Sequence, residues 1–339
     1  MRMANLPASR ADFIIAIICA LPVEATAVWP LFEVIYSGYQ HRNLLKVPDD
    51  DNTYTLGRIG EYDVILAHMP CPGKKTASAV AVHLKRTYTG IKLAFLLGVC
   101  GAVPLAQNIH HPPGSGADIF LGDVIVSHGV VEYDFGTRSP GGFVRKDTLT
   151  FSQGRAGQGI RSIIAMMKAS QEKLEKNLSR HLALIQEKQD ATYPGLDKDI
   201  LWQSTYEHCL MGCQCSLNVA DIDHSVVSRC RTPDVKTPLP RLHFGIIASG
   251  DTVVKSATYH DQVAARDGVI GYEMELTGVW DSLPCILIKG VADYADSHKS
   301  KDWQEYAAAS SAACMRALLD LTPIPFKSTE SGPSEGKQS

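Results

Sequence analysis

The chain has 339 residues, 45% of them hydrophobic and 20% charged, with a formal net charge of −3 and a pI near 6.5. Those proportions suit a globular protein long enough to bury a sizeable core. They exclude a field that would hold nucleic acid nonspecifically, and they favour a small neutral or anionic ligand.

Residues 1–11 form an N-terminal arm. The apolar run FIIAIICAL at 13–21 predicts a first strand. It is too short to cross a bilayer and lacks a small-residue cleavage site, so neither a membrane partner nor a secretory signal is expected. Pro22 and Glu24 then open a helix over 23–32. Residues 53–69 predict a hairpin turning at Gly60, and a Gly-Lys-Lys-Thr turn at 73–76 leads into a helix over 77–88. That turn lacks the leading Gly-rich portion of a phosphate loop. A short buried strand at 93–97 is expected to end in the loop Gly98-Val99-Cys100-Gly101. A further strand region covers 118–127 with a Gly-Asp turn.

Between 159 and 190, Ile160, Ile163, Ile164, Met167, Leu174, Leu178, Leu182 and Ile185 recur at helical spacing among charges. One or two amphipathic helices covering the core are expected there. An irregular, Pro- and Cys-containing stretch follows over 191–240. Cys209, Cys213, Cys215 and Cys230, with His208 and His224, lack the paired spacing of a zinc site, so no metal is expected. Strands are predicted at 243–250 and 285–293, and an amphipathic helix at 303–321. The Ser/Gly/Lys/Glu-rich end, 325–339, is expected to be a disordered tail. Nine cysteines are an odd count, and Cys19, Cys100, Cys285 and Cys314 lie in apolar runs, as free thiols do. A reducing location follows, cytosol or nucleus, and the assignment made is cytoplasmic.

Apolar strands alternating with helices predict a single α/β domain over 12–324, with a central mixed, largely parallel sheet flanked by helices and a helical insertion at about 150–242. Ligands in such sheets collect beyond the carboxyl ends of the strands. Four strand ends carry polar or glycine-containing loops: 20–24, 98–101, 249–254 and 292–296. They are expected to converge on one site.

Those loops, read in order as ALPVEA (20–25), GVCGAVP (98–104), GDVIVS and YDFG (122–127, 133–136), IASGD (247–251), YEMEL (272–276) and VADYADSHKSKDWQEYAAA (291–309), resemble the nucleoside phosphorylase/nucleosidase superfamily. The wording is most similar to the 5′-methylthioadenosine/S-adenosylhomocysteine nucleosidase branch and to the fungal stand-alone or NLR-attached versions of the domain. The resemblance covers roughly 12–150 and 242–322. It implies that Glu24 activates the attacking water, that Glu275 grips the ribose hydroxyls, that Met274 packs against the sugar and that Asp293 protonates the purine at N7. Val253 and Val254 would face the base, with Val253 where relatives often carry a stacking aromatic residue. Cys100 and Gly101 are counted with the substrate-facing residues. So is Glu273, for which a structural ion pair or cap is the plainer role. Tyr133, Asp134 and Phe135 line the 5′ side or simply pack. Arg138, Arg145 and Lys146 are candidates for a 5′-phosphate.

The chemistry suits these residue types. A purine leaves ribose through an oxocarbenium-like state, which calls for one acid and one base on opposite sides of the bond. Asp293 as acid must hold a proton near neutral pH, and the apolar wall 286–291 is expected to supply the desolvation that favours it. Glu24 must be ionised; its plainer role is a first-turn helix carboxylate. Leu96 and Val99 stand where a phosphorylase would place donors for phosphate, so no cationic cradle is expected and water is the favoured nucleophile. The reading is hydrolysis of a purine nucleoside to base and ribose, without a cofactor, by a homo-oligomer of two or more subunits. Phosphorolysis and a noncatalytic nucleotide-sensing module are the alternatives.

Overall fold

The computed structural model describes residues 6–36, 42–104, 118–146, 156–206, 226, 227, 229 and 238–321. The 325–339 tail and the cysteines and histidines weighed for zinc lie outside these residues, as do residues 1–5 of the arm over 1–11.

The first apolar run is β1 (Ile15–Cys19), buried throughout. Pro22 at the first helical position opens α1 (Pro22–Val28), and Pro30 turns the chain into a short 3-10 segment, so the helix stops short of 32. The expected hairpin is β3 (Thr53–Ile59) and β4 (Tyr62–His68), antiparallel about Gly60, with β2 (Val34–Ile35) on its outer edge. Helix α2 (Lys74–Thr87) starts within the Gly-Lys-Lys-Thr turn.

β5 (Leu93–Ala102) corrects one expectation: residues 98–101 are not a loop but the last part of a ten-residue strand. It stays extended because partners lie on both sides of it. Later strands are β6 (Val124–Glu132), the small hairpin β7 (Gly136–Ser139) with β8 (Gly142–Arg145), β9 (Leu242–Ser249), β10 (Val269–Glu273) and β11 (Cys285–Asp293). The stretch 159–190 is two helices, α3 (Gln158–Ala169) and α4 (Gln171–Lys188), parted at Ser170. Helices α5 (Ala257–Asp267), α6 (Leu276–Trp280) and α7 (Gln304–Leu321) complete the described elements.

Nine strands form one mixed sheet in the order β10-β9-β6-β11-β5-β1-β4-β3-β2. β10 also pairs antiparallel with β5, so β5, β11, β6, β9 and β10 close on themselves, leaving β1, β4, β3 and β2 as an open wing. β1, β5 and β11 run parallel, which brings their carboxyl ends to one edge. α7 is buried on nearly every side, with an alanine-rich surface that lets it lie close to β11, β5, α1 and α4. α4 presents Leu174, Leu178, Leu182 and Ile185 at helical spacing to that packing. The helices therefore cover the sheet and brace the closed half that carries the site. No described helix is long and apolar enough to cross a membrane.

Candidate functional site

Gly101 is the hub of the closed half. In register it faces Asp293 of β11 on one side and Tyr272 of β10 on the other. Glu273 of β10 in turn faces Ser249 of β9. Four strand ends thus meet at one rim, and β1 joins them through Glu24, the third residue of α1.

Glu24 is buried, 2% exposed. Its Oε2 accepts the amide hydrogens of Ala20 (2.7 Å) and Leu21 (2.9 Å), and its Oε1 accepts that of Val99 (2.9 Å). The first two bonds fulfil the plain first-turn role; the third reaches across to β5. Backbone alone makes room for it: a β-carbon on Gly98 would lie 1.9 Å from Glu24 Oε1. Gly101 does the same for the acid, since a β-carbon there would lie 2.7 Å from Asp293 Oδ1. The two glycines, three residues apart on β5, leave the space that two carboxylates occupy.

Between Glu24 and Glu275 stands Lys289, 1% exposed. Its Nζ donates to Glu275 Oε2 (3.1 Å) and lies 3.6 Å from Glu24 Oε1. Burial works against the ammonium, but Glu24, Glu275 and Glu273 outweigh it and hold its pKa above the ordinary lysine value. Sequence reasoning missed this residue. It treated 286–291 as an apolar wall, although a lone lysine inside an apolar run signals a buried charge with partners.

That run ends at Asp293, the last residue of β11. Asp293 is buried, but its Oδ1 accepts the Ala295 amide hydrogen (2.9 Å) and its Oδ2 pairs with Lys299 Nζ (2.8 Å). Two cations stand at the rim, Lys289 and Lys299. Neither presents an open cradle, because each is taken up by carboxylates.

Glu273 has the structural role. Its Oε2 accepts the amide hydrogens of Glu275 and Leu276, and Oε1 accepts that of Leu276, which caps α6. Burial first, then the charge of Glu275, pushes its pKa up to about 7, opposed by Lys289. Met274 is half-buried between the two glutamates, and Cys100 is buried beside Gly101, its thiol pushed up mainly by burial. Val254 is buried against Tyr133 and Tyr272, whereas Val253 is 48% exposed. Ser249 Oγ accepts the Thr277 amide hydrogen (3.2 Å), tying the end of β9 to α6.

The proposed 5′ side is a separate polar knot. Lys74 Nζ donates to Glu132 (2.8 Å) and Asp134 (2.6 Å), and Asp251 accepts the Lys74 amide hydrogen (2.8 Å). Tyr133 donates its hydroxyl to the Thr252 carbonyl. Of the basic candidates, Arg145 pairs with Asp267 (2.8 Å) and Lys146 lies over the Phe135 ring, so both are engaged by protein groups; Arg138 sits on the exposed hairpin.

A cavity of about 390 Å³ opens beside Asp293, lined by Trp202, Asp296, His298 and Lys299 among others. Trp202 comes from the 191–240 stretch and stacks on His298 with ring centroids 4.5 Å apart. Arg229 fastens the same stretch: it donates to Asp199 (3.0 Å) and to the Tyr294 hydroxyl (2.5 Å), between the Phe120 and Tyr294 rings.

Solved structures share the architecture. The 5′-methylthioadenosine/S-adenosylhomocysteine nucleosidase of Helicobacter pylori superposes with a TM-score of 0.56 at 16% identity, covering 92% of this chain and 100% of that one. The same bacterium's futalosine hydrolase gives 0.55 at 17%, covering 93% and 100%. The corresponding nucleosidase of Neisseria meningitidis gives 0.56 at 14%, covering 91% and 100%. In sequence, the chain is 31% identical over 321 residues to a nucleotide-binding leucine-rich repeat (NLR)-like protein of Hyaloscypha variabilis. That match takes in 91% of this chain but only 29% of the relative's length. The profile described as the phosphorylase superfamily matches residues 14–320, and the chain belongs to that superfamily.

Proposed function

We propose that the chain hydrolyses the N-glycosidic bond of a purine nucleoside, releasing free base and ribose. The observation that carries this reading is the linked trio Glu24, Lys289 and Glu275, set at the rim that also bears Asp293. In this reading Lys289 stands between two buried glutamates and offsets the cost of holding them side by side. Glu24, held by three amide hydrogens, draws a proton from water. Glu275 accepts from the ribose hydroxyls and faces the positive charge that grows on the sugar. Lys299 first leaves its proton on Asp293 Oδ2 and withdraws as a neutral amine, and Asp293 passes that proton to the purine as the bond breaks. Phosphate is disfavoured as the nucleophile, because three carboxylates surround the reacting position and both lysines are already paired.

The solved relatives are nucleosidases and a hydrolase, which supports hydrolysis as the reaction class. The test is chromatography of released base from a panel of purine ribosides and nucleotides, with and without phosphate. Release without phosphate is the expected result. Asp293→Asn should lower the rate by about 100- to 10,000-fold, the usual share of a general acid. Full activity in that variant would remove Asp293 from the reaction.

A second reading has its own observation: the relative that matches most of this chain is an NLR-like protein more than three times as long as the match. A nucleotide-sensing module would show calorimetric binding with no turnover across the same panel. We also carry forward a homo-oligomer, tested by light scattering, and a reducing cytoplasmic setting. The latter agrees with the free thiols at Cys19, Cys71, Cys100, Cys285 and Cys314.

A further inference from the structure

Asp293 stands where the sheet loses its hold on β11. The register with β5 slips between Val291 and Asp293, a bulge in which Ala292 is the extra residue. β6, the other neighbour, pairs in register with Leu287–Gly290 and stops short of that point. Two residues beyond Asp293, Ala295 takes a left-handed backbone angle, φ 51°, and its amide hydrogen goes to Asp293 Oδ1 (2.9 Å). Alanine adopts that conformation at a cost and keeps it where its surroundings impose it. A bulge beside a reacting group re-aims the side chain next to it. Whatever fixes this strand end therefore fixes where Asp293 points.

Tyr294 supplies the hold. It is buried, and its hydroxyl is bonded from three directions. The hydroxyl accepts the Leu121 amide hydrogen (3.1 Å) and a guanidinium hydrogen of Arg229 (2.5 Å), and it donates to Asp199 Oδ1 (2.5 Å). Burial, then the charge of Asp199, push its pKa well above the ordinary tyrosine value, so the hydroxyl keeps the proton it donates. Arg229 joins the segments that meet there. Its guanidinium lies 4.5 Å from the ring centroid of Phe120 and 4.8 Å from that of Tyr294. It also donates to Asp199 (3.0 Å), to Asp118 (3.3 Å) and to the Ile119 carbonyl (3.0 Å). An arginine suits this place, because five donors in one plane can serve several acceptors while the plane stacks on rings.

We propose that Tyr294 and Arg229 are positioning residues for the acid: they lock the strand end past the bulge and so hold Asp293 where it reaches the purine. The tyrosine hydroxyl is committed to protein partners, so its effect runs through the backbone it shares with Asp293. A general acid works within a narrow range of positions, and a displacement of about 1 Å can cost about 100-fold in rate. This role rests on the hydrolase reading, in which Asp293 is the acid.

The test is base release from purine ribosides by wild type, Tyr294→Phe, Arg229→Lys, Asp293→Asn and the double variant Tyr294→Phe/Asp293→Asn, each checked for a native melting transition. Tyr294→Phe keeps the ring and loses the hydroxyl; Arg229→Lys keeps the charge and loses the planar fork. Each should lower kcat by about 10- to 100-fold and leave KM within about threefold. Asp293→Asn removes what they position, so adding Tyr294→Phe to it should cost less than about twofold more, read in single turnovers with enzyme in excess. If Tyr294→Phe fails to fold, Arg229→Lys replaces it in the double variant. An unchanged kcat in the folded single variants, a loss confined to KM, or a further tenfold loss in the Asp293→Asn background would overturn the positioning role. Failure of both single variants to fold would overturn it too, by making the cluster a requirement for folding. No base release by wild type, or full activity in Asp293→Asn, would instead sink the hydrolase reading and the positioning role with it.

Discussion

Glu24, Glu275 and Lys289 show how much of this site depends on single side chains that are useless alone. A lysine at 1% exposure is tolerable only because two carboxylates face it. Replacing it with methionine keeps the volume and leaves two like charges buried together. Lys289→Met should therefore lose about 3–5 kcal/mol of stability, measured by denaturant unfolding. An unchanged midpoint would show that the two glutamates do not depend on it. Gly98 is as constrained as the charged residues. Gly98→Ala puts a β-carbon where Glu24 Oε1 now lies, so base release should fall sharply. The cost in stability should be smaller, about 1–3 kcal/mol, because the carboxylate can be pushed aside. Equal activity in Gly98→Ala would mean that the position of Glu24 is immaterial. These roles were unequally legible. Glu24, Glu275 and Asp293 stood out through the resemblance their loops carry. Lys289 and the spacing of Gly98 and Gly101 did not, because a contact between β1, β5 and β11 has no local signature.

Among the elements, α6 is the one whose footing depends on pH. Glu273 caps it, and its pKa rises from 4.5 to about 7 on folding. The folded state then holds a proton that the unfolded chain has released. The contribution is fully present below pH 4.5 and is lost as pH rises through about 7. Glu273→Gln keeps an acceptor for the cap but has no proton to exchange. Its unfolding free energy should decline less than that of wild type over that window; parallel curves would show that Glu273 does not titrate there. The same scale explains what could be read in advance. β1, the β3–β4 hairpin, β11 and α7 follow apolar runs or periodicity punctuated by Pro and Gly, and they lie close to their expected positions. β5 was cut short because its glycines read as a loop, whereas pairing with β11 and β10 holds them extended. β10 went unseen because five residues followed at once by a short helix offer no clear period.

For the whole molecule, the mixed sheet and its covering helices match what alternating strands and helices implied, and the superposed structures share that fold. The closure of β10 onto β5 was not legible, since it is a pairing between segments about 170 residues apart whose partners are set only once β9 and β11 are in place. That closure matters most for function, because it brings Glu273 and Glu275 to the rim that Asp293 and Glu24 already share. The stretch from 191 to 240 adds Trp202 and Arg229 to the same rim, beside the proposed reaction centre.

The central claim, that the three acidic side chains direct water and not phosphate to the sugar, is tested most directly by running the reaction in heavy-oxygen water with phosphate present and weighing the sugar product. The account predicts ribose bearing one heavy oxygen at its anomeric carbon, at a rate indifferent to phosphate. Ribose 1-phosphate, formed only when phosphate is supplied, would contradict it.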